Sequence, residues 1–493
     1  MNILGISAGF HDAAAAVIDP HGEILFAAHS ERYSKIKNDQ TLHTELLNAV
    51  NEFAPISHVA YYEKPWKKQL RRWFSGEGFD WNQTLTAKVV TQHLGNLPLF
   101  TDVSSYDHHL SHAAAGFQTS PFTDATVVVI DAIGELETIS IYSAEYDKQG
   151  NAKYRKLWQQ QYPHSIGLFY SAMTQRVGLK PMDEEYILMG MSAYGKKNHS
   201  EFLKSLLIQD LNACTFKQNL HTGVDEDLLQ GVNKNDIALS SQKLCEELVY
   251  SVMHRARKFR WSNNLVYMGG VALNCLANRN LGKIFDNIWI MPNPGDAGSS
   301  LGAAALAYGK RLNWQHPFLG HNIEGSYPIG AIVNGLLRDR IVGVASGRAE
   351  FGPRALGNRS LLADPRGADI KDKVNVIKKR QKFRPFAPVI LEEVANQYFD
   401  FPVGWTQSPY MQTVARCKRP DLFPAICHVD GTSRVQTVPA DRSGIRKLLE
   451  TWYQITECPM LLNTSLNIRG EPMVNDRQDA NRFEKLYKVK VYS

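Results

Sequence analysis

A chain of 493 residues, 44% hydrophobic and 21% charged, is longer than one hydrophobic core usually serves and has the make-up of an ordinary globular protein. Its formal charge of +6 is compatible with anionic substrates or nucleic acid, and too small to establish either. No apolar run approaches the roughly 18–20 residues of a membrane helix, and the opening MNILGISAGFHDAAAAV reads as a strand rather than a leader, so no membrane association and a cytoplasmic location are expected. The six cysteines are scattered without C-x-x-C spacing, which argues against a disulfide framework or zinc ribbon.

In chain order, residues 2–6 form an apolar run, 7–12 (SAGFHD) a turn, 13–18 a second run, and 24–28 a third after an Asp-Pro-His-Gly turn. Two successive hairpins with a phosphate-facing turn are expected. The unit recurs about 120 residues later: strand 125–130, turn 131–135 (DAIGE), strand 138–142. Such a repeat suits a nucleotide site between duplicated halves. A helix is expected from His108, a strand, Gly-Gly turn and helix over 262–276, and a PGDAG turn with an alanine-rich helix over 293–308. A domain boundary is placed near 330, after the Pro/Gly/His-rich stretch 317–329, giving domains 1–330 and 331–493. The second reads as α+β and is rich in Arg and Lys between 348 and 384.

Four groups of residues carry chemistry. In DHHLSH, His108 and His112 are four apart, so on a helix both imidazoles face one way and can share an ion. With Asp131 and Asp296, each in a glycine-containing turn, they make a donor set suited to Fe²⁺, Zn²⁺ or Mn²⁺. A lone H-x-x-x-H also arises by chance or capping, and His109 reads as an ordinary packed or exposed histidine. Glycine turns at Gly134, Gly269, Gly270, Gly295 and Gly298, with Asn274, form the second group. Their backbone N–H groups can approach phosphate, although any strand turn can hold glycine.

The basic second half holds Arg354, Arg359, Lys378, Arg380, Arg384, His428 and Arg434, with Asn463, Ser465 and Asn467. Arginine forks grip phosphate, and amides or hydroxyls can read a carbamoyl group. The alternative is a solvated basic face, against which the interleaved Phe351, Phe383 and Phe386 argue. Lastly, KPWKKQLRRWF at 64–74 offers Lys64, Lys67, Lys68, Arg71 and Arg72 beside Trp66, Trp73 and Phe74. It reads as an exposed amphipathic helix or as a nucleic-acid contact.

The strings EFGPRALGNRS, FRPFAP, DGTSRVQ and NTSLNIRGEP, in this order, resemble the O-carbamoyltransferases of nodulation and antibiotic tailoring. The resemblance covers nearly the whole chain. It implies an α/β fold: a duplicated actin/hexokinase-like N-terminal domain, similar to the tRNA threonylcarbamoyl-transfer proteins, and a smaller α+β domain that makes carbamoyl-adenylate. It also implies that His108, His112, Asp131 and Asp296 hold Fe²⁺ or another divalent metal beside the adenylate. Arg354, Lys378, Arg384, Arg434, Asn463 and Ser465 would bind carbamoyl phosphate, with ATP as co-substrate and Mg²⁺ as its companion. His11 and Asp12 fall where the transfer chemistry is expected. Departures are DAIGE, where the family has glycine after the aspartate, Gln381 in place of glutamate, and the segment around 186–188.

For the acceptor, the basic tryptophan-bearing segment points to a hydroxymethylcytosine-type pyrimidine in a nucleotide or DNA. A small metabolite or glycoside hydroxyl is the other class. A tRNA threonylcarbamoyl transferase and a non-catalytic nucleotide-binding protein are the remaining readings, and the fused carbamoyl-phosphate domain and the retained ligands argue against them.

Overall fold

The computed structural model describes residues 1–74, 76, 78–95, 102–442 and 444–493. Contacts divide it into two compact units: Met1–Ser34, Asn38–Ala277 and Leu281–His316 form the first, and Pro317–Ser493 with Lys35–Lys37 and Asn278–Asn280 the second. Residues 317–330 therefore go with the second unit, and the division along the chain lies at His316/Pro317.

The first unit contains two five-stranded sheets. One is built from β1 (Asn2–Ser7), β2 (Ala14–Ile18), β3 (Ile24–His29), β4 (Ile56–Tyr61) and β5 (Asp102–Ser105), in spatial order β3-β2-β1-β4-β5. The other uses β6 (Asp124–Ile130), β7 (Glu137–Tyr146), β8 (Ala152–Gln161), then, beyond a short hairpin of β9 (Ile208–Asp210) and β10 (Thr215–Phe216), β11 (Asn264–Met268) and β12 (Asn287–Trp289). Its order is β8-β7-β6-β11-β12. In both, the first three strands run antiparallel and the last two add in parallel to the first. One topology therefore occurs twice, which is the duplicated actin/hexokinase-like α/β arrangement implied by the sequence. Strands β2 and β6 are apolar and almost wholly buried (AAAVI and DATVVVI), as strands covered on both faces must be.

Two helices pack against each other with a sheet behind each. His108–Thr119 lies on β6 and β11, and Gly298–Tyr308 lies on β1, β2 and β4. Their small residues (HAAAG and GSSLGAAA) allow the backbones to approach closely. A Cβ at Gly302 would stand 1.8 Å from Ser111 O, and one at Gly5 1.9 Å from Ser300 O. Gly302→Ala must push the helices apart, so it is expected to destabilise the protein by about 1–3 kcal/mol or more, read as a lower urea midpoint.

The second unit is built on a six-stranded mixed sheet, in order Gln436–Val438, Ala387–Leu391, Met460–Ser465, Arg359–Ala363, Ile341–Ala345 and Val491–Tyr492. The helices Ile329–Asp339 and Ile445–Thr456 bury Ile332, Leu336, Leu448, Leu449 and Trp452 in its core. Among the described residues no helix is long and apolar enough to cross a membrane.

Candidate functional site

In the first unit, His108 and His112 stand in the first two turns of a helix buried on nearly all sides, and Asp131 follows directly on β6. Asp296 lies in the PGDAG turn, two residues before the facing Gly298–Tyr308 helix. All four side chains are buried. His112 Nε2 is 3.1 Å from His108 Nε2 and 3.1 Å from Asp131 Oδ2. His108 Nε2 is 3.3 Å from Asp131 Oδ2, and both imidazole Nε2 atoms are 3.3 Å from Asp296 Oδ1.

Four donor atoms therefore converge within 4.8 Å of one another. Ligands about 2.1 Å from a common ion lie about 3.0 Å apart at right angles and about 3.4 Å apart at the tetrahedral angle. The His–His and His–Asp separations fall in that interval, and two imidazoles with two carboxylates suit a borderline divalent ion. The residues fit a metal.

The charges agree with this. Burial opposes ionisation of Asp131 and Asp296, yet the imidazoles hold Asp131 well below the usual carboxylate range and Asp296 is lowered too. Burial likewise opposes charge on His108 and His112, but the carboxylates raise both. The cluster thus keeps two anions buried because cationic partners face them, and a metal ion can take that part. The free oxygen of Asp131 is fixed by the backbone: Oδ1 accepts from Ala132 N at 2.8 Å and Gly270 N at 3.2 Å, which aims Oδ2 at the histidines. His109 is not a ligand; its ring Nδ1 bonds Ser140 Oγ at 2.8 Å.

His11 and Asp12 adjoin this centre. His11 Nδ1 bonds Asp12 Oδ2 at 3.0 Å, and its Nε2 is 3.8 Å from Asp296 Oδ2. Burial works against the His11 cation, but Asp296, Asp12 and Asp131 together raise it to about 9. Asp12 has a positive φ of 55°, a backbone conformation in which aspartate is one of the few tolerated side chains.

A neighbouring buried histidine gives a pH test. His29 Nε2 pairs with Asn293 Nδ2 at 2.9 Å, and burial, helped by the Arg32 charge, lowers it from 6.5 to about 4. As pH falls from about 6.5 to about 4 the unfolded chain binds a proton that the folded chain refuses. Stability is therefore lost over that window, by up to about 3 kcal/mol, and levels off below it. His29→Gln keeps an acceptor for Asn293 but does not titrate. Its urea midpoint should fall less than the wild type's between about pH 7 and about pH 4.5.

In the second unit, Lys378 is buried, and its Nζ donates to Ser465 Oγ at 3.0 Å and Asn467 Oδ1 at 2.6 Å. Burial first, then the charges of Arg380 and Arg384, lowers its pKa well below the ordinary lysine value. Asn463, two residues before Ser465 on one strand, donates Nδ2 to Ala355 O at 3.0 Å and Gln436 Oε1 at 2.7 Å. Those contacts bring in the chain beside Arg354 and Arg434. Asn463 Oδ1 and Arg434 Nε are buried with no hydrogen-bond partner among the described residues. An open acceptor and an open donor are what an anion bearing an amide group needs.

Arg359 does something else. Fully buried, it donates to the carbonyls of Asn475, Ser346, Gly347, Asn358 and His321 at 2.9–3.2 Å and ties loops together.

Two family models match the chain: Carbamoyltransferase N-terminus over residues 56–305 and Carbamoyltransferase C-terminus over residues 333–492. The chain belongs to the carbamoyltransferase family. It is a carbamoyltransferase enzyme. The uncharacterized protein sll1178 of Synechocystis is 33% identical, the alignment covering 98% of this chain and 94% of that one. Nodulation protein NolNO of Sinorhizobium fredii is 30% identical over 97% of this chain and 77% of its own length. Among solved structures, full-length HypF in its phosphate- and nucleotide-bound form aligns over 62% of this chain and 55% of that one, at 15% identity and a TM-score of 0.35.

The remaining sequence-derived residues of this carbamoyltransferase fall in different surroundings. Gly270 borders Asp131, and a Cβ at Gly295 would meet nothing within 4 Å. Gly134 and Gly298 sit against neighbouring chain instead: a Cβ at Gly134 would lie 3.1 Å from His109 Cδ2, and one at Gly298 1.9 Å from Asn293 O. Gly269 (φ 91°) leaves no room either, its Cβ position being 2.2 Å from Ile130 O. The Asn274 amide is bonded to Gln242 in both directions, at 3.0 and 3.1 Å.

The segment 64–74 is the helix Pro65–Phe74 preceded by Lys64, and its cations point into the first unit. Lys64 Nζ donates to Ser105 O, Lys67 to Asp107, Lys68 to Glu63 and Gly9 O, and Arg71 to Gly134 O. Arg72 is half-buried. The expected nucleic-acid contact therefore lacks free cations at Lys64, Lys67, Lys68 and Arg71; among the described side chains of the segment, Trp66 and Trp73 are exposed. Sequence reading assigned no role to Glu135 or Gln436, although each lies within a quoted motif.

Proposed function

We propose that in the second unit of this carbamoyltransferase carbamoyl phosphate is hydrolysed to carbamate and phosphate, that the carbamate oxygen attacks the α-phosphorus of ATP to give carbamoyl-adenylate and pyrophosphate, and that the carbamoyl group is transferred to an acceptor hydroxyl in the first. The observation that carries this reading is the paired chemistry. A buried His/Asp cluster lies in one unit, and Lys378 with open Asn463 and Arg434 atoms lies in the other. Asn463 Oδ1 would accept from the carbamoyl NH₂, while Arg354, Lys378, Arg384 and Arg434 would take the phosphate, with Ser465 orienting Lys378.

In the first unit, His108, His112, Asp131 and Asp296 would hold Fe²⁺ or another divalent metal, which supplies Lewis-acid stabilisation for the phosphate of the departing AMP. The open surroundings of Gly295 and the Gly270 turn leave room for that phosphate. His11 or Asp12 takes the acceptor's proton. A cation held by Asp131 and Asp296 would offset two of the carboxylates that raise His11, leaving Asp12, and would bring it down toward a range in which it can act as a base. The hydroxyl oxygen then attacks the carbonyl carbon, the bond to AMP breaks, and the carbamate ester forms.

For the acceptor, a small-molecule hydroxyl fits better than a hydroxymethyl pyrimidine in DNA. The cations of 64–71 that argued for a phosphate backbone are committed within the protein, leaving two indoles exposed.

The test supplies ATP, carbamoyl phosphate and Fe²⁺, follows pyrophosphate, and looks by mass spectrometry for carbamoylation of glycosides, small alcohols and hydroxymethylcytosine-containing DNA. Pyrophosphate that depends on carbamoyl phosphate supports the two-stage reaction, and its absence sinks it. Carbamoylated DNA would restore the nucleic-acid acceptor.

A further inference from the structure

The Pro65–Phe74 helix touches the parts of the first unit that surround the metal cluster. Lys68 Nζ reaches Gly9 O at 3.2 Å, two residues before His11. Lys67 Nζ reaches Asp107 Oδ1 at 2.6 Å, at the start of the His108–Thr119 helix. Arg71 Nη1 reaches Gly134 O at 3.1 Å, in the turn that begins with Asp131. Arg71 lies four residues after Lys67 and three after Lys68, so the three cations share one broad side of the helix, and Trp66 and Trp73, seven apart, lie on another.

Glu135 joins this helix to the metal-bearing one. Its side chain is fully buried. Oε1 accepts from Lys64 N at 2.7 Å and His108 N at 3.1 Å, and Oε2 from His108 N at 3.0 Å. The first N–H groups of a helix have no intrahelical partner, and Asp107, at the capping position, makes no side-chain bond to them. The Glu135 carboxylate fills that place and lies at the favourable end of the helix dipole. The first turn it grips carries the His108 imidazole, whose Nε2 must stay 3.3 Å from both Asp131 and Asp296.

We infer that Glu135 is a positioning residue for the metal centre, a single buried carboxylate that locks the Lys64–Phe74 segment to the first turn of the His108–Thr119 helix. The position of the segment then sets the position of His108. This rests on the metal-site reading above, so the test has one arm that needs no metal.

In that arm, hydrogen exchange is followed on the apo full-length chain. Glu135→Ala should release the amides of Lys64 and His108 together, seen as faster exchange in peptides over 60–68 and 106–112. Glu135→Gln keeps an oxygen that can accept from both amides and should restore much of the protection. The second arm is Co²⁺ binding by titration. Glu135→Ala should bind about ten- to a hundredfold more weakly, as when an outer partner of a ligand is lost, and Glu135→Gln should lie between it and the wild type.

Exchange that rises in only one of the two peptides overturns the inference, and so does wild-type Co²⁺ affinity in Glu135→Ala. If the alanine variant does not fold, the glutamine variant is judged by the same two readouts: partly faster exchange in both peptides with weaker Co²⁺ binding is expected, and wild-type behaviour in both readouts overturns the inference. A wild-type chain that binds no Co²⁺ fails the metal reading, and the exchange arm alone then decides the role of Glu135.

Discussion

His112→Ala is expected to lose carbamoyl transfer while still releasing pyrophosphate from ATP and carbamoyl phosphate. His112 Nε2 is within 3.3 Å of the other three donor groups, so its removal takes one of four ligands from the centre. It also leaves Asp131 and Asp296 as buried anions with one imidazole fewer between them, a costly arrangement without a compensating cation. Binding of Fe²⁺ or Co²⁺ should weaken by more than the roughly 10–100-fold that loss of an outer-shell partner costs. Calorimetry on the full chain, together with the pyrophosphate and transfer assays, measures all three. Transfer that survives with the metal gone would remove the metal from the reaction. Loss of both half-reactions with a lowered melting temperature would mean that His112 serves folding alone.

Lys378→Met should give the opposite split. Methionine keeps much of the buried volume but removes the donor to Ser465 and Asn467 and the charge that faces Arg380 and Arg384. A charge-assisted contact to an anion is worth about 2 kcal/mol, so the KM for carbamoyl phosphate should rise about thirtyfold in the pyrophosphate assay. Co²⁺ binding should stay as in the wild type, because His108, His112, Asp131 and Asp296 all belong to the first unit. An unchanged KM would leave Lys378 as the strut of the Ser465 strand and move the anion to Arg354, Arg384 and Arg434. Because the burial that lowers the lysine pKa also excludes water, part of the effect should appear as a changed pH profile for carbamoyl phosphate binding.

The two variants together separate the reading proposed here from its alternatives. A non-catalytic nucleotide-binding protein would show neither half-reaction. A single site for both steps would make the two variants fail alike.

Much of this was legible along the chain because it is local. Alternation of apolar runs and glycine turns revealed the repeated strand–turn–strand unit, and the i, i+4 spacing put His108 and His112 on one helix face. Residue chemistry points to a borderline ion as the one the His/Asp set suits, and long motif strings point to carbamoyl transfer. The convergence of Asp131 and Asp296 on those histidines is a different matter. It depends on two small-residue helices packing between duplicated sheets, and no spacing in the sequence encodes it.

What tertiary structure alone decided is which polar groups are already spent. Arg359 reads as one more phosphate-gripping cation of its motif, yet it is taken up by five carbonyls. Lys64, Lys67, Lys68 and Arg71 read as a free basic stripe and are bound to acceptors within the unit. Glu135 read as one more acid in a turn and is the buried partner of two backbone amides from distant segments. The physical reason is the same in each case: side-chain type fixes what a residue can bond, while the partner it finds is set by chain brought close through folding, and a buried donor or acceptor must take that partner.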